Sequence, residues 1–270
     1  MYDESGERRV AVDPTFATTP DVPLPGFSLY RFSTGHGGLQ CEACHGSTHA
    51  EFPSSHVNDN LQSVALQGHA GALVECATCH GSTPHTVDGG PHGMHPVGQS
   101  WVGDHADAAE DGGGAACRAC HGTDYRGTVL SMSKADRVLS TRYGTRNFWT
   151  GFQIGCYACH RGPNSDDSNP NSPAVVQDVS ANASDVPLAI PLSASDVNGD
   201  ALTLRIVSQP ANGTVALAGT VATYYPERGF AGTATFTFAA WDGQTDSNLG
   251  HVTLAVTPSD GIFANGFEAP

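Results

Sequence analysis

Over the final third of the chain, apolar and polar residues alternate. Leu188, Ile190 and Leu192 form one set, and Leu202, Leu204 and Ile206 a second. Phe236, Phe238 and Ala240 form a third, and Val252, Leu254 and Val256 a fourth. A period of two lines one face of a β-strand with apolar side chains and leaves the other to water. Asn198-Gly199-Asp200, Asn212-Gly213 and Asp242-Gly243 break the runs with turn-forming residues. Residues 174–258 are therefore predicted to fold as an all-β sandwich of roughly seven strands. Residues 33–163 show no such alternation, and their frequent glycines predict short helices joined by loops rather than long helices. Ahead of them, residues 1–32 form a polar, extended arm punctuated by Pro14, Pro20, Pro23 and Pro25, suited to a tail or to a strap across a neighbouring surface. Residues 164–173 read as a linker, and 259–270 as a short tail carrying Ile262, Phe263 and Phe267.

Composition and charge narrow the function. At 270 residues the chain has room for two domains. Acidic residues outnumber basic ones 27 to 12, which argues against nucleic acid or an anionic membrane surface as partner. No apolar run approaches the length of a transmembrane segment. Charge is unevenly placed: residues 32–117 contain nine acids and no Lys or Arg. Residues 118–161 contain Arg118, Arg126, Lys134, Arg137, Arg142, Arg146 and Arg161 against Asp124 and Asp136. This basic run is either an ordinary solvated face or a set of partners for carboxylates, whether on a ligand or in the acidic half of the same or an adjacent subunit.

The cysteines carry the most specific chemistry. All eight fall in four copies of one pattern: Cys41-Glu42-Ala43-Cys44-His45, Cys76-Ala77-Thr78-Cys79-His80, Cys117-Arg118-Ala119-Cys120-His121 and Cys156-Tyr157-Ala158-Cys159-His160. C-x-x-C-H is the attachment signature of c-type haem, in which two thiols add across the vinyl groups and the following histidine binds iron on the proximal side. Disulfides and zinc also use paired cysteines. Disulfides give no reason for a histidine after every second cysteine, and first-cysteine spacings of 35, 41 and 39 residues are long for a zinc ribbon. Gly35-His36-Gly37-Gly38-Leu39 before the first motif matches Gly68-His69-Ala70-Gly71-Ala72-Leu73 before the second, which suggests a duplicated two-haem unit.

On these motifs, residues 33–163 resemble the multihaem c-type cytochromes of the extracellular electron-transfer type, with four haem c groups. The resemblance implies a multidomain chain: a haem-packed, loop-rich, mainly short-helix tetrahaem domain, then the all-β sandwich. It implies thioether bonds at Cys41, Cys44, Cys76, Cys79, Cys117, Cys120, Cys156 and Cys159, with His45, His80, His121 and His160 as proximal ligands. It also implies export to the cell surface or medium, with the periplasm as alternative, since this attachment takes place outside the cytoplasm in bacteria. Met1-Tyr2-Asp3-Glu4 is not a signal peptide, so one is expected to have been cut or to lie outside this numbering. Residues 174–258 are similar to bacterial Ig-like or cadherin-like modules, through Ser195-Asp196-Val197-Asn198-Gly199-Asp200, Pro210-Ala211-Asn212-Gly213-Thr214-Val215, Gly229-Phe230-Ala231-Gly232-Thr233 and Ala240-Trp241-Asp242-Gly243.

The sixth iron ligand separates a wire from a catalyst. Nine histidines lie outside the motifs, eight of them between residues 36 and 105. None lies between His121 and Cys156, and only His251, read as a surface residue, follows His160. The third and fourth haems must therefore draw distal ligands from upstream, from another chain, or from a weaker donor such as Met132, with Met94 the other methionine in range. His49, His69, His95 and His105 are the first choices, and His36, His85, His92 and His56 the reserves. The expectation is an electron carrier rather than an enzyme, exchanging electrons with redox proteins or an extracellular acceptor. It works as a homo-oligomer or as a head-to-tail conducting filament of the kind some extracellular multihaem cytochromes form. On this reading, haem-to-haem transfer survives removal of residues 174–270. Two other classes stay open: a reductase or oxidase of a small nitrogen or sulfur compound with one open haem, and a surface adhesion protein with accessory haems. Asp196, Asn198 and Asp200 place oxygen donors at alternate positions, as calcium loops do and as ordinary turns do.

Overall fold

The computed structural model describes residues 41–46, 57–82, 94–112 and 114–257. The arm at 1–32, the tail at 259–270 and the candidate ligands His36, His49, His56, His85 and His92 lie outside the described residues. The described residues form two compact units. One runs to Ala119 and takes in Lys134–Asn147; the other comprises Cys120–Ser133 and the chain from Phe148 onward.

In the first unit, helix α1 (Cys41–His45) and helix α2 (Leu61–Gln67) are short. A 3₁₀ turn at Val57–Asn60 leads into α2, and Gly68 at φ 85° ends it, its N–H donating to Val64 O at 2.9 Å. Gly71 N–H donates to Asn60 Oδ1 at 2.8 Å and folds the following loop back over the turn. Helix α3 (Gln99–Gly112) runs for 14 residues, longer than the glycine content predicts. The reason is local: the segment holds Ala106, Ala108 and Ala109, no proline and only Gly103 inside it, so helix propensity prevails. Helix α4 (Arg118–His121), whose last two residues belong to the second unit, follows a 3₁₀ turn at Ala115–Cys117. Strands β1 (Arg137–Thr141) and β2 (Gly144–Phe148) form a two-stranded sheet absent from the sequence expectation, because Arg137, Ser140 and Arg146 blur the period-two signal. Gln99 ties α3 to β1 through both ends of its amide, donating to Ser140 O at 2.9 Å and accepting from Ser140 N–H at 2.8 Å.

Burial in this unit is inverted. Asn60 and Ser63 are buried, whereas Val57, Leu61, Val64, Leu66 and Val138 stand open, Val57 at 73% and Leu61 at 60% exposure. The buried large apolar side chains among the described residues all lie in the second unit, from Tyr125 onward.

The second unit contains strands β3 (Val175–Val176), β4 (Val179–Ala183), β5 (Leu188–Pro191), β6 (Ala194–Ser195), β7 (Thr203–Ser208), β8 (Thr214–Ala218), β9 (Val221–Tyr225), β10 (Gly232–Trp241) and β11 (Gly250–Val256). One sheet has the order β4-β11-β10-β7, the other β5-β9-β8, and β3 pairs with β6 at the side. The two larger sheets thus hold the seven strands that the alternation predicts. All pairs are antiparallel except β4 with β11, where Val179 to Ala183 run alongside Val252 to Val256. Phe236, Phe238, Val252 and Leu254 from one sheet and Ile190, Ala222 and Tyr224 from the other share a single core. Each large side chain so buried contributes about 1.5–3 kcal/mol.

A second buried group, Tyr125, Phe148, Trp149 and Phe152, belongs to the same unit. The Phe152 ring meets Phe148 and Trp149 edge-on, with centroids 5.0 and 5.5 Å away. Segment 164–173, linker-like in composition, is bonded along its length. Arg161 N–H donates to Asp167 O at 3.1 Å and Asn169 N–H to Cys159 O at 3.2 Å. Asn171 Nδ2 donates to Asp242 Oδ2 and Ser172 N–H to Asn198 Oδ1, both at 2.8 Å.

Candidate functional site

Each C-x-x-C-H stretch winds into about one turn of helix. The first occupies α1. The second and fourth start as 3₁₀ turns at Cys76–Thr78 and Cys156–Ala158, and the third begins at the end of one and continues as α4. The second and fourth copies share their backbone bonds. His80 N–H donates to Cys76 O and His160 N–H to Cys156 O, both at 2.9 Å, while Cys79 and Cys159 N–H reach the same carbonyls at 3.2 and 3.0 Å. One such turn places both thiols and the imidazole along a single edge, which two vinyl groups and an iron require. Among the described residues no two cysteines are joined by a disulfide. Burial pushes the Cys76 and Cys117 thiols above their ordinary value and keeps them protonated.

Two of the motif histidines are held in the same way. His121 Nδ1 lies 2.8 Å from Ile154 O, and His160 Nδ1 lies 2.8 Å from Gly162 O. A carbonyl can only accept, so each Nδ1 carries the proton and the ring's lone pair is on Nε2. A backbone carbonyl on the far nitrogen is the usual outer partner of a metal-binding imidazole. Desolvation also pushes His121 below its ordinary 6.5, against the Ile154 bond, and favours the neutral ring that metals bind.

The carbonyl beneath His121 is fixed by a tight crossing of two backbone segments. A Cβ on Gly155 would lie 2.4 Å from Arg126 C and 2.6 Å from Tyr125 O. A Cβ on Gly127, itself at φ 95°, would lie 2.8 Å from Gln153 Cγ and Ile154 O. Across the crossing, Cys156 N–H donates to Tyr125 O at 2.9 Å, and within the first segment Gly127 N–H turns back to His121 O at 2.9 Å. The third motif's histidine and the start of the fourth motif, at Cys156, therefore share one backbone junction. The Arg126 guanidinium stands 5.4 Å over the Tyr157 ring, within the fourth motif.

That junction is bolted to the sandwich. Asp246, 1% exposed, accepts from Arg205 Nη2 at 2.6 Å and from Gln153 N–H at 2.7 Å through Oδ2. Burial pushes its carboxyl upward, with the Arg205 charge and the Gln153 N–H opposing. Arg205 Nη2 also donates to Gly151 O at 3.1 Å, and its guanidinium lies 5.0 Å over the Trp149 ring. Trp149 Nε1 donates to Ser247 O at 3.0 Å. None of Ile154, Gln153, Asp246 and Arg205 carries a motif, and sequence reasoning missed them. Their one local sign is an acid in the turn after Asp242-Gly243, a place where acids are commonplace.

Among the first-choice distal histidines, His95 and His105 share the geometry of His121. Their Nδ1 atoms lie 2.7 Å from Pro96 O and 3.0 Å from Val102 O. His95 also stacks on Trp101, with centroids 4.4 Å apart and planes at 10°. His69 differs: its Nδ1 lies 2.9 Å from Ala70 O and its Nε2 3.2 Å from Glu75 Oε1, an oxygen that also pairs with Arg137. To bind iron through Nε2, His69 must leave Glu75. His49 lies outside the described residues. A cavity of about 380 Å³ opens beside the first motif, lined by Cys44, Gly46, Asp59, Leu61, Ser63 and Leu73 among others, a size typical of small-ligand sites.

Among the described residues no three His, Cys, Asp or Glu side chains gather as a bare metal ion requires. In the sandwich, Asp196 Oδ1 accepts from Asn198 N–H at 2.7 Å and Asp200 N–H at 3.2 Å, which is turn chemistry. No helix among the described residues is long and apolar enough to cross a membrane.

Comparison with known proteins bears on the sandwich. Residues 170–255 match the bacterial Ig domain family, Big_9, and form a bacterial Ig-like domain. No curated protein matches the chain. Among solved structures, the endo-fucoidan hydrolase MfFcnA4 of glycoside hydrolase family 107 is similar at 20% identity, over 46% of this chain and 18% of that one, with a TM-score of 0.29. The endo-fucoidan hydrolase MfFcnA9 of the same family matches at 19% identity, over 42% of this chain and 20% of that one, with a TM-score of 0.26. The titin M3 domain matches at 12% identity, over 30% of this chain and 90% of that one, with a TM-score of 0.20. This chain spans a fifth or less of the length of those hydrolases.

Proposed function

We propose that the chain is an exported electron-transfer protein that holds four c-type haems on its four C-x-x-C-H turns. The observation that carries the reading is the matched anchoring of His121 and His160, each with Nδ1 on a backbone carbonyl at 2.8 Å. A ring so held is oriented before metal arrives and offers Nε2. The donor set fits haem in a second respect: Leu61, Val64 and Leu66 stand exposed on α2, as apolar walls do when a large flat group completes the core. Bound haem supplies reversible one-electron chemistry, and two imidazoles per iron leave no position for a substrate.

The chain's own groups divide the remaining work. The paired cysteines fix each group's place and tilt. His45, His80, His121 and His160 supply the proximal imidazoles, and His95 and His105 are the described histidines best oriented for the distal side. Arg126 and its basic neighbours hold carboxylates at the junction of the third and fourth motifs. Head-to-tail assembly into a filament is the part of the proposal that rests on the division of charge between residues 32–117 and 118–161. In negative-stain microscopy, a preparation of discrete monomers or dimers alone counts against it.

Intact-mass measurement after expression in a host that matures c-type cytochromes tests the core reading. The expected result is four covalent haem additions with a low-spin, six-coordinate spectrum. A polypeptide without added haem sinks the proposal. A high-spin component that takes up cyanide or nitrite moves it to the reductase class.

A further inference from the structure

We infer that Asp246, in the Ig-like domain, is a positioning residue for the axial ligand His121. The inference rests on the haem reading above. It adds a redox role for a domain whose removal the sequence reading expects haem-to-haem transfer to survive. The path is short and each step is a hydrogen bond or a peptide unit. Arg205 Nη2 holds Asp246 Oδ2 at 2.6 Å, and the same oxygen holds Gln153 N–H at 2.7 Å. Gln153 is joined to Ile154, whose carbonyl receives His121 Nδ1 at 2.8 Å. Arg205 grips the same loop again at Gly151 O. The 151–154 backbone is thus pinned from the sandwich side by the buried Asp246 and its partner Arg205, and from the other side by the imidazole.

Two features make the pin effective. Asp246 is 1% exposed, so water cannot replace its bonds to the loop. Gly127 and Gly155 bring the crossing segments into backbone contact, so a shift of residues 153–154 passes directly to the His121 acceptor. A firm acceptor on Nδ1 makes the imidazole a stronger donor to iron and favours the ferric state. Loosening the pin weakens that acceptor and raises the reduction potential of the haem that His121 ligates.

The test uses the full-length, haem-loaded protein and compares Asp246→Asn with Thr237→Ala. Thr237 bonds Ser208 between β10 and β7, 2.7 Å Oγ to Oγ1, so its loss weakens the sandwich outside the path. Intact mass establishes haem loading, and His121→Met identifies the haem concerned. In spectropotentiometric titration, Asp246→Asn is expected to move that one midpoint upward and leave the other three in place. The same haem's low-spin electron paramagnetic resonance signal should shift with it, and Thr237→Ala should move neither. Four unchanged midpoints in a folded, four-haem Asp246→Asn protein overturn the inference. So does an equal shift in Thr237→Ala, or a common shift of all four midpoints, since each marks general loosening. If Asp246→Asn fails to fold, Arg205→Lys carries the test: it keeps the charge and changes the fork, and an unmoved midpoint there likewise overturns the inference. Absence of haem from the unaltered protein is a separate result, and it ends the haem reading itself.

Discussion

Tyr224 is wholly buried between the sheets of the sandwich, yet its phenol is polar, so its hydroxyl needs a partner. It finds one in Asn212 O at 2.8 Å. Burial, with Glu227 adding repulsion, pushes the phenol above its ordinary 10.0. The unfolded chain therefore ionises first as pH rises, and the stability this residue contributes is present below pH 10 and lost above it. Tyr224→Phe should cost about 1 kcal/mol at neutral pH and flatten the alkaline end of a pH–denaturation series. Phe238, also fully buried, is a plain packing residue. Phe238→Ala should cost about 3–5 kcal/mol, read as a lowered midpoint in chemical denaturation. Phe238 was legible in advance, whereas Tyr224 was not among the alternating sets. Phe236/Phe238 and Val252/Leu254/Val256 alternate, and β11 buries every second residue from Gly250 to Val256. Asp246 was not legible, because its partners Arg205 and Gln153 lie 41 and 93 residues away and a buried acid leaves no periodic trace.

Among the elements, the turns that carry C-x-x-C-H were readable because each closes its hydrogen bonds within five residues. Their acceptors were not. Ile154 lies 33 residues from His121 in the chain, and nothing in its neighbourhood marks a carbonyl as special. The crossing that joins them depends on two glycines for different reasons. Gly155 has extended backbone, so an alanine there meets no backbone strain, only the Arg126 and Tyr125 main chain. Gly155→Ala should destabilise the second unit by about 1–3 kcal/mol. Calorimetry of the full-length protein will show it as a lowered transition, and an unchanged transition would mean the two segments part freely. The hairpin β1–β2 and helix α3 escaped the reading for opposite reasons: one has too few apolar residues to show a period, the other enough alanine to outweigh its glycine.

For the molecule as a whole, the sequence divides function between a redox segment and an Ig-like module, and the division of the fold falls elsewhere. Cys120–Ser133 and the chain from Phe148 lie in the same compact unit as the sandwich. Trp149 donates to Ser247 O, and Asn171 to Asp242. Cutting away residues 174–270 removes Ser247 O, the acceptor for Trp149, and Asp246, the acceptor for Gln153 N–H, so a 1–173 fragment should lose protection around residues 148–156. Hydrogen exchange of the fragment against the full chain measures it; equal protection would restore the view of the Ig-like domain as a detachable accessory.

The parallel pairing of β4 with β11 sets an order of events in time. The sandwich cannot close until β11 is present, and a chain synthesised from its N-terminus delivers Gly250–Val256 late. All eight cysteines precede that strand. Every C-x-x-C-H motif has therefore emerged before the sandwich can close, and with it the Asp246 contact to Gln153.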